Sequence, residues 1–211
     1  MKKVVVSRLF NVLSDSEDAI STSTMLKIDK IRKDNNLFII MDNCHYKDIL
    51  FYDKSYPFID YIIACGGSYI FDVRKDRVVY KKKVLASTLK KLNKTSSKKK
   101  YYLEDKVVDK IDIDNDEVYK VDIIDYSDED LEIVKKLTVN TFIHDNIIEI
   151  NRVTKFEALD KILKNRYSKD NIISICLDDS DLGVLNNSNG YLVKKGDNDN
   201  KIVEKILNKY F

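Results

Sequence analysis

VVVSRLFNVL, residues 4–13, is the stretch that decides the fold. A run of three β-branched residues broken at Ser7 has the pattern of a strand buried on both faces of a parallel sheet. The tip of such a strand opens on the crevice at the carboxyl edge of an α/β sheet, where ligands bind. Here Ser7, Arg8, Leu9, Phe10 and Asn11 leave it, with no carboxylate, cysteine or glycine among them.

Outward from this strand, the pattern alternates. A polar turn over 14–18 precedes a helix with cap candidates among Ser21 to Thr24 and apolar positions Met25, Ile28 and Ile31. LFIIM, residues 37–41, is a second apolar strand followed by Asp42, Asn43, Cys44 and His45, which completes one right-handed βαβ unit. A helix over about 46–52 leads to a third strand over 61–64, which stops at Cys65-Gly66-Gly67. Residues 69–72 and 78–80 flank a turn over 74–76 and read as an edge hairpin.

An amphipathic helix over 84–92 leads to NKTSSKKK, residues 93–100, which reads as a solvated linker. Strands over 101–103, 117–124, 141–143 and 147–150, with a helix over 128–137 opened by Ser127, then predict a small α+β insert with one face of an antiparallel sheet exposed. The doubly wound pattern returns with a helix over 155–165 capped by Thr154 and a fourth buried strand over 171–176. Asp178-Asp179-Ser180-Asp181 sits at its tip, followed by a short helix, a strand over 191–193, a loop over 196–200 and a closing helix over 201–210. The expected fold is α/β, a Rossmann-like core over 1–92 and 151–211 with a parallel sheet between helices, and an α+β insert over 93–150.

Composition bounds the function. At 211 residues and 44% hydrophobic content the chain can bury a good-sized core. Lys plus Arg is 37 against Asp plus Glu 35, a balance that argues against a nucleic-acid partner. No stretch reaches the roughly 18–20 apolar residues of a membrane span, and residues 1–6 lack a full signal-peptide apolar region, so a cytoplasmic protein is expected. Three cysteines, Cys44, Cys65 and Cys176, at long spacings give no disulfide framework.

Taken together, the segments resemble the haloacid dehalogenase (HAD) superfamily of phosphatases, in the Cof-type branch that carries a cap between the third and fourth core segments. The likeness rests on order and spacing. Cys65-Gly66-Gly67 with Tyr69-Ile70-Phe71-Asp72 is similar to that family's NGA-x-I-x-D passage, and Glu149-Ile150 with Val153-Thr154-Lys155 resembles its EI…xSKG passage. Aligned on the family's DxDG(T/V) motif, the first strand tip supplies Ser7, Leu9, Phe10 and Asn11. Met41 to Cys44 replace the ATGR-like passage that carries a small hydroxyl for phosphate, with Asp42 at that hydroxyl. The GDxxND motif becomes 176–181, where Asp181 retains the second acidic position and Asp178 fills the first after a one-residue shift.

The resemblance implies a first aspartate acting as nucleophile and a second acting as general acid and base. Ser7 and Leu9 stand at those positions. A phosphoserine lacks the activated anhydride of an aspartyl phosphate, and leucine moves no proton. Magnesium, which wants several hard oxygen ligands, is left with Asp181 and Asp178 and is expected to bind weakly or not at all. Asp42 would repel a phosphoryl group unless Lys155, the retained lysine, compensates. The expected function is therefore a catalytically impaired or inactive pseudo-phosphatase that binds or regulates. Its alternatives are a magnesium-dependent hydrolase of a small phosphorylated metabolite and a homo-oligomeric interaction protein.

Other constellations have plainer readings. Cys44, Cys65, Cys176 and His45 all fall near strand ends and could offer a tetrahedral zinc site, yet CxxC spacing is absent and small-residue replacement accounts for them. DIDND, residues 112–116, lacks the glycine and terminal glutamate of a calcium loop and reads as a turn. Tyr101, Tyr102, Tyr119 and Tyr126 read as sheet packing.

Overall fold

The computed structural model describes residues 2–14, 20–55, 57–164, 166–193 and 200–211. The turn expected over 14–18 and the loop over 196–200 fall largely outside these residues, as does Asn165. In chain order the first core part holds β1 (Val4–Ser7), α1 (Thr22–Lys33), β2 (Leu37–Met41), α2 (Tyr46–Ser55), β3 (Tyr61–Ala64), β4 (Tyr69–Asp72) and β5 (Arg77–Lys81). The insert holds α3 (Ala86–Leu92), β6 (Lys98–Tyr102), β7 (Val107–Val108), β8 (Lys120–Ile124), α4 (Asp128–Lys135), β9 (Asn140–His144) and β10 (Ile147–Asn151). The chain then returns through α5 (Lys155–Leu163), β11 (Ile172–Cys176), α6 (Leu182–Asn186), β12 (Asn189–Leu192) and α7 (Asn200–Tyr210).

Alternation along β1 explains why it is central. Val5 packs on one side of the sheet with Ile28 and Ile31 of α1, Ile49 of α2 and Leu207 of α7, whereas Val4 and Val6 pack on the other with Ala158 and Leu159 of α5 and Val184 of α6. A strand with apolar neighbours on both faces needs no polar alternation, as VVV shows. The seven-stranded sheet runs β12-β11-β1-β2-β3-β4-β5, parallel from β12 to β3 and antiparallel through the terminal hairpin. Cys65, after β3, and Cys176, ending β11, thus lie on opposite sides of β1.

The cap is a second, antiparallel sheet in the order β7-β6-β8-β10-β9. Its outer face carries the cluster of Tyr101, Val121, Ile123, Val134, Ile148 and Ile150. Val84, Leu89 and Leu92 belong to this same cluster, so by packing α3 goes with the cap, whereas the sequence reading ended the first core part at 92. The basic run read as linker is in part a strand. Lys99 and Tyr101 of β6 pair with Ile123 and Val121 of β8, and the Lys99 ammonium is spent on the carbonyls of Thr95 (2.8 Å) and Ser97 (2.9 Å). Long aliphatic stems let lysine occupy such a strand.

Helix starts follow the expected chemistry. Ser127 and Thr154 each close a capping box, with Asp130 and Glu157 respectively. The second box fixes the start of α5 beside Gly66 and Gly67. Gly67 has φ 111°, and a Cβ there would lie 2.5 Å from the Thr154 carbonyl oxygen. Gly67→Ala is therefore expected to lower stability by about 2 kcal/mol or more, read as a shift of the urea unfolding midpoint.

Candidate functional site

The end of β1 presents Arg8 to the crevice. By alternation its side chain belongs with Val4 and Val6, and Leu9 returns to the opposite face, fully buried beside Val5 and Leu13. Ser7 is also fully buried and its Oγ donates to the Arg8 carbonyl (2.9 Å). Neither the Ser7 nor the Leu9 side chain, at the two strand-tip positions singled out from the sequence, meets the acidic groups at the crevice; Leu9 reaches Asp42 through its backbone N–H alone. Their place is taken by a residue between them.

Arg8 lies among three carboxylates. Nη2 is 3.1 Å from Asp42 Oδ1, and Nη1 is 3.5 Å from both Asp178 Oδ2 and Asp181 Oδ1, with the guanidinium side chain 7% exposed. Burial alone would lower its pKa, but Asp42, Asp181 and Asp178 outweigh that and hold it raised. The carboxylates are themselves well supplied. Asp42 Oδ2 accepts the backbone N–H of Leu9 (3.2 Å) and Phe10 (3.3 Å), and Oδ1 that of Asn43 (2.7 Å). Asp178 Oδ1 accepts the backbone N–H and the hydroxyl of Ser180 (2.9 and 2.5 Å).

Lys155, at the first position of α5, is 2% exposed in its side chain and donates to Asp181 Oδ1 and Ser180 Oγ, both at 2.6 Å. Asp181 Oδ2 accepts from Leu177 N (3.0 Å). Burial would raise the Asp181 pKa, but Lys155 and Arg8 hold it below the ordinary value, so it is a carboxylate at neutral pH. Burial and the neighbouring guanidinium pull Lys155 down. The structure thus gathers Asp42, Lys155, Asp178 and Asp181 around one arginine.

A second network descends from the cap. Lys120 of β8, its side chain 1% exposed, reaches Asp122 Oδ1 (2.9 Å), Glu149 Oε1 (3.1 Å) and the Asn43 carbonyl (3.0 Å), and so ties the cap sheet to the loop after β2. Tyr102 donates to Asp122 Oδ2 (2.7 Å), and His144 Nε2 lies 3.1 Å from Glu149 Oε1. Although burial opposes it, His144 and Lys120 hold the Glu149 carboxyl down at about 2. Arg8, Lys120 and Glu149 were not singled out as site residues from sequence. The visible signal for Arg8 was a cation in register with Val4 and Val6. Lys120 and Glu149 share one cap face in alternate positions of β8 and β10, which only strand pairing reveals.

Cys44 and Cys65 are neighbours, with the Cys65 N–H donating to the Cys44 carbonyl (3.0 Å), whereas Cys176 belongs to the other core cluster. Cys65 and Cys176 are buried in different clusters, and burial pushes both thiols up to about 12, away from thiolate character. His45 is likewise committed, with Nε2 3.1 Å from the Leu103 carbonyl. Among the described residues, no group of three or more His, Cys, Asp or Glu side chains is placed to hold a metal ion. The 112–116 segment is an exposed turn in which Asp112 and Asp116 bond within the loop.

Arg8→Ala would leave buried carboxylates without their counter-ion, and a loss of about 3–5 kcal/mol is expected by urea unfolding. The His144 contact has a pH signature. Its folded pKa is raised, chiefly by the hydrogen bond to Glu149, so its stabilisation is complete below 6.5 and is lost as pH rises through the raised value. A melting-temperature profile should therefore fall more steeply on the alkaline side of 6.5 for the native chain than for His144→Gln.

No family model matches the sequence, and no curated protein does. Solved structures do match in fold. A sugar phosphatase of HAD subclass IIB superposes with a TM-score of 0.80 at 14% identity over 97% of this chain and 98% of that one. A haloacid dehalogenase-like hydrolase from B. subtilis gives 0.83 at 10% identity over 99% and 100% of the two chains. Another from Bacteroides thetaiotaomicron gives 0.79 at 14% identity over the whole of both. No described helix is long and apolar enough to cross a membrane. The chain therefore shares the fold of these haloacid dehalogenase-like structures, a Rossmann-like core with an α+β cap.

Proposed function

We propose that this is a phosphatase-fold protein without hydrolase chemistry, which binds or regulates through its crevice. The observation that carries the reading is Arg8, whose guanidinium lies among Asp42, Asp178 and Asp181. On this reading the family's strand-tip motif falls on Arg8-Leu9-Phe10-Asn11, one residue later than an alignment starting at Ser7. Asn11 supports the shift, since its φ of 61° is the left-handed backbone that a glycine in the motif adopts freely. The nucleophile position then holds a cation. The acid-base position holds Phe10, which packs edge-on against Tyr52 and moves no proton.

Charge placement favours the same conclusion. Asp42 already takes the backbone donors of Leu9 and Phe10 that a phosphoryl oxygen would need at this strand tip. Magnesium, which the resemblance implies, does not fit this donor set. Asp181 is committed to Lys155, Arg8 and Leu177 N, Asp178 faces Arg8 and Ser180, and a divalent ion there would sit against a guanidinium.

The surviving Lys155–Asp181 pair favours a second reading, a magnesium-dependent hydrolase acting on a small phosphorylated metabolite, in line with the sugar phosphatase of the same fold. One assay separates the two. Hydrolysis of p-nitrophenyl phosphate with magnesium is expected at the buffer blank, and turnover removed by Asp181→Ala would instead establish the hydrolase. The double variant Arg8→Asp/Phe10→Asp is expected to bind magnesium in a calorimetric titration where the native chain does not.

A further inference from the structure

A cleft of about 480 Å³, within the size range of small-molecule sites, lies at the edge of the seven-stranded sheet opposite the crevice. Its lining residues Tyr61, Asp72 and Arg77 stand at the start of β3, the end of β4 and the start of β5, which is the amino edge of the parallel strands. The hairpin of β4 and β5 brings Lys75 and Arg77 to it, and the end of α5 brings Lys161 and Lys164. Helix α5 begins at the crevice with Lys155, and nine residues at about 1.5 Å each carry Lys164 roughly 13 Å away along the axis.

Four cations but a single carboxylate line this cleft, in a chain whose charges nearly balance at 37 to 35. That carboxylate, Asp72, is buried and already neutralised, since it accepts the backbone N–H of Lys75 (3.1 Å) and lies 3.3 Å from the Lys75 ammonium. Three cations remain. Arg77, Lys161 and Lys164 are exposed and make no hydrogen bond or ion pair among the described residues. Lys161 sits over the Tyr80 ring, 4.7 Å from its centre, a contact that positions the ammonium and leaves its N–H donors to a ligand.

The helix dipole accounts for lysines at the end of α5, but not for Arg77 and Lys75 set against them from the hairpin. Like charges gathered in one cleft repel, and an anion between the two walls turns that repulsion into attraction. A single negative charge leaves the cleft positive. Two phosphoryl groups, at roughly 1.5–2 charges each at neutral pH, match the three free cations, as three carboxylates do. Arginine adds a planar fork of donors suited to either group. Ile70 and Ile162 supply apolar surface for the carbon skeleton that carries them.

We propose that this cleft binds a small multivalent oxyanion, a compound with two phosphoryl groups or three carboxylates, through Arg77, Lys161 and Lys164. The site is separate from the crevice and does not depend on how the crevice is read.

The test titrates the isotope-labelled full chain at neutral pH, in metal-free buffer of constant ionic strength, with pyrophosphate, citrate and acetate, and follows the backbone amide signals of Arg77, Lys161 and Lys164 by NMR. Pyrophosphate or citrate is expected to shift these signals saturably, the tighter of the two identifying the anionic group, and acetate to leave them without saturation. Added sodium chloride should weaken the binding. Arg77→Gln and Lys164→Asn, both at exposed positions, should each weaken it about threefold and together about tenfold, as for exposed ion pairs. No saturable shift from either multivalent anion, acetate bound equally well, or an affinity unchanged in the double variant would overturn the site.

Discussion

A guanidinium withdrawn from water between three carboxylates is the constraint on which the crevice depends. Removing charges from water is costly, and an ion cluster survives burial only when every member is also hydrogen-bonded. Arg8 meets this condition at its two terminal nitrogens, though not at its buried Nε, through groups delivered by separate segments. β1 brings the arginine, the loop after β2 brings Asp42, the segment after β11 brings Asp178 and Asp181, and α5 brings Lys155. Each carboxylate is fixed in turn by backbone amides close to it in sequence or on the neighbouring strand tip. The cluster therefore sets the relative positions of four chain crossings.

The order of elements was largely legible in the sequence because it rests on local chemistry. Apolar runs over 4–6, 37–41 and 61–64 became parallel strands, and Ser127 and Thr154 opened helices as their cap chemistry predicted. The site was legible only in part. Asp42, Asp178, Asp181 and Lys155 follow strands or open a helix, so position along the chain located them. Ser7 and Leu9 were chosen by motif spacing, and a shift of one residue on a strand exchanges its faces. Alternation from Val4 and Val6 is the stronger constraint, and it selects Arg8.

What escaped reading depends on contacts distant in sequence. The lysines over 98–100 resemble a linker until pairing with β8 and the carbonyls of Thr95 and Ser97 account for them. Similarly, α3 has an apolar face that fits either body, and only the cluster around Val84, Leu89 and Leu92 assigns it to the cap. Lys120 and Glu149 acquire meaning when β8 and β10 lie side by side, 29 residues apart along the chain at those positions.

Lys120 also governs the relation between the two bodies of the molecule. Its ammonium is shared by two cap carboxylates and one carbonyl of the core, so separating cap from core removes an acceptor from a fully desolvated charge. A hinge alone would let the cap swing as an independent flap. A cation latched across the seam, beside the His45 contact to the Leu103 carbonyl and the Asn151 bond to the Gly66 carbonyl, instead makes opening the seam cost the hydrogen bonds of a buried charge.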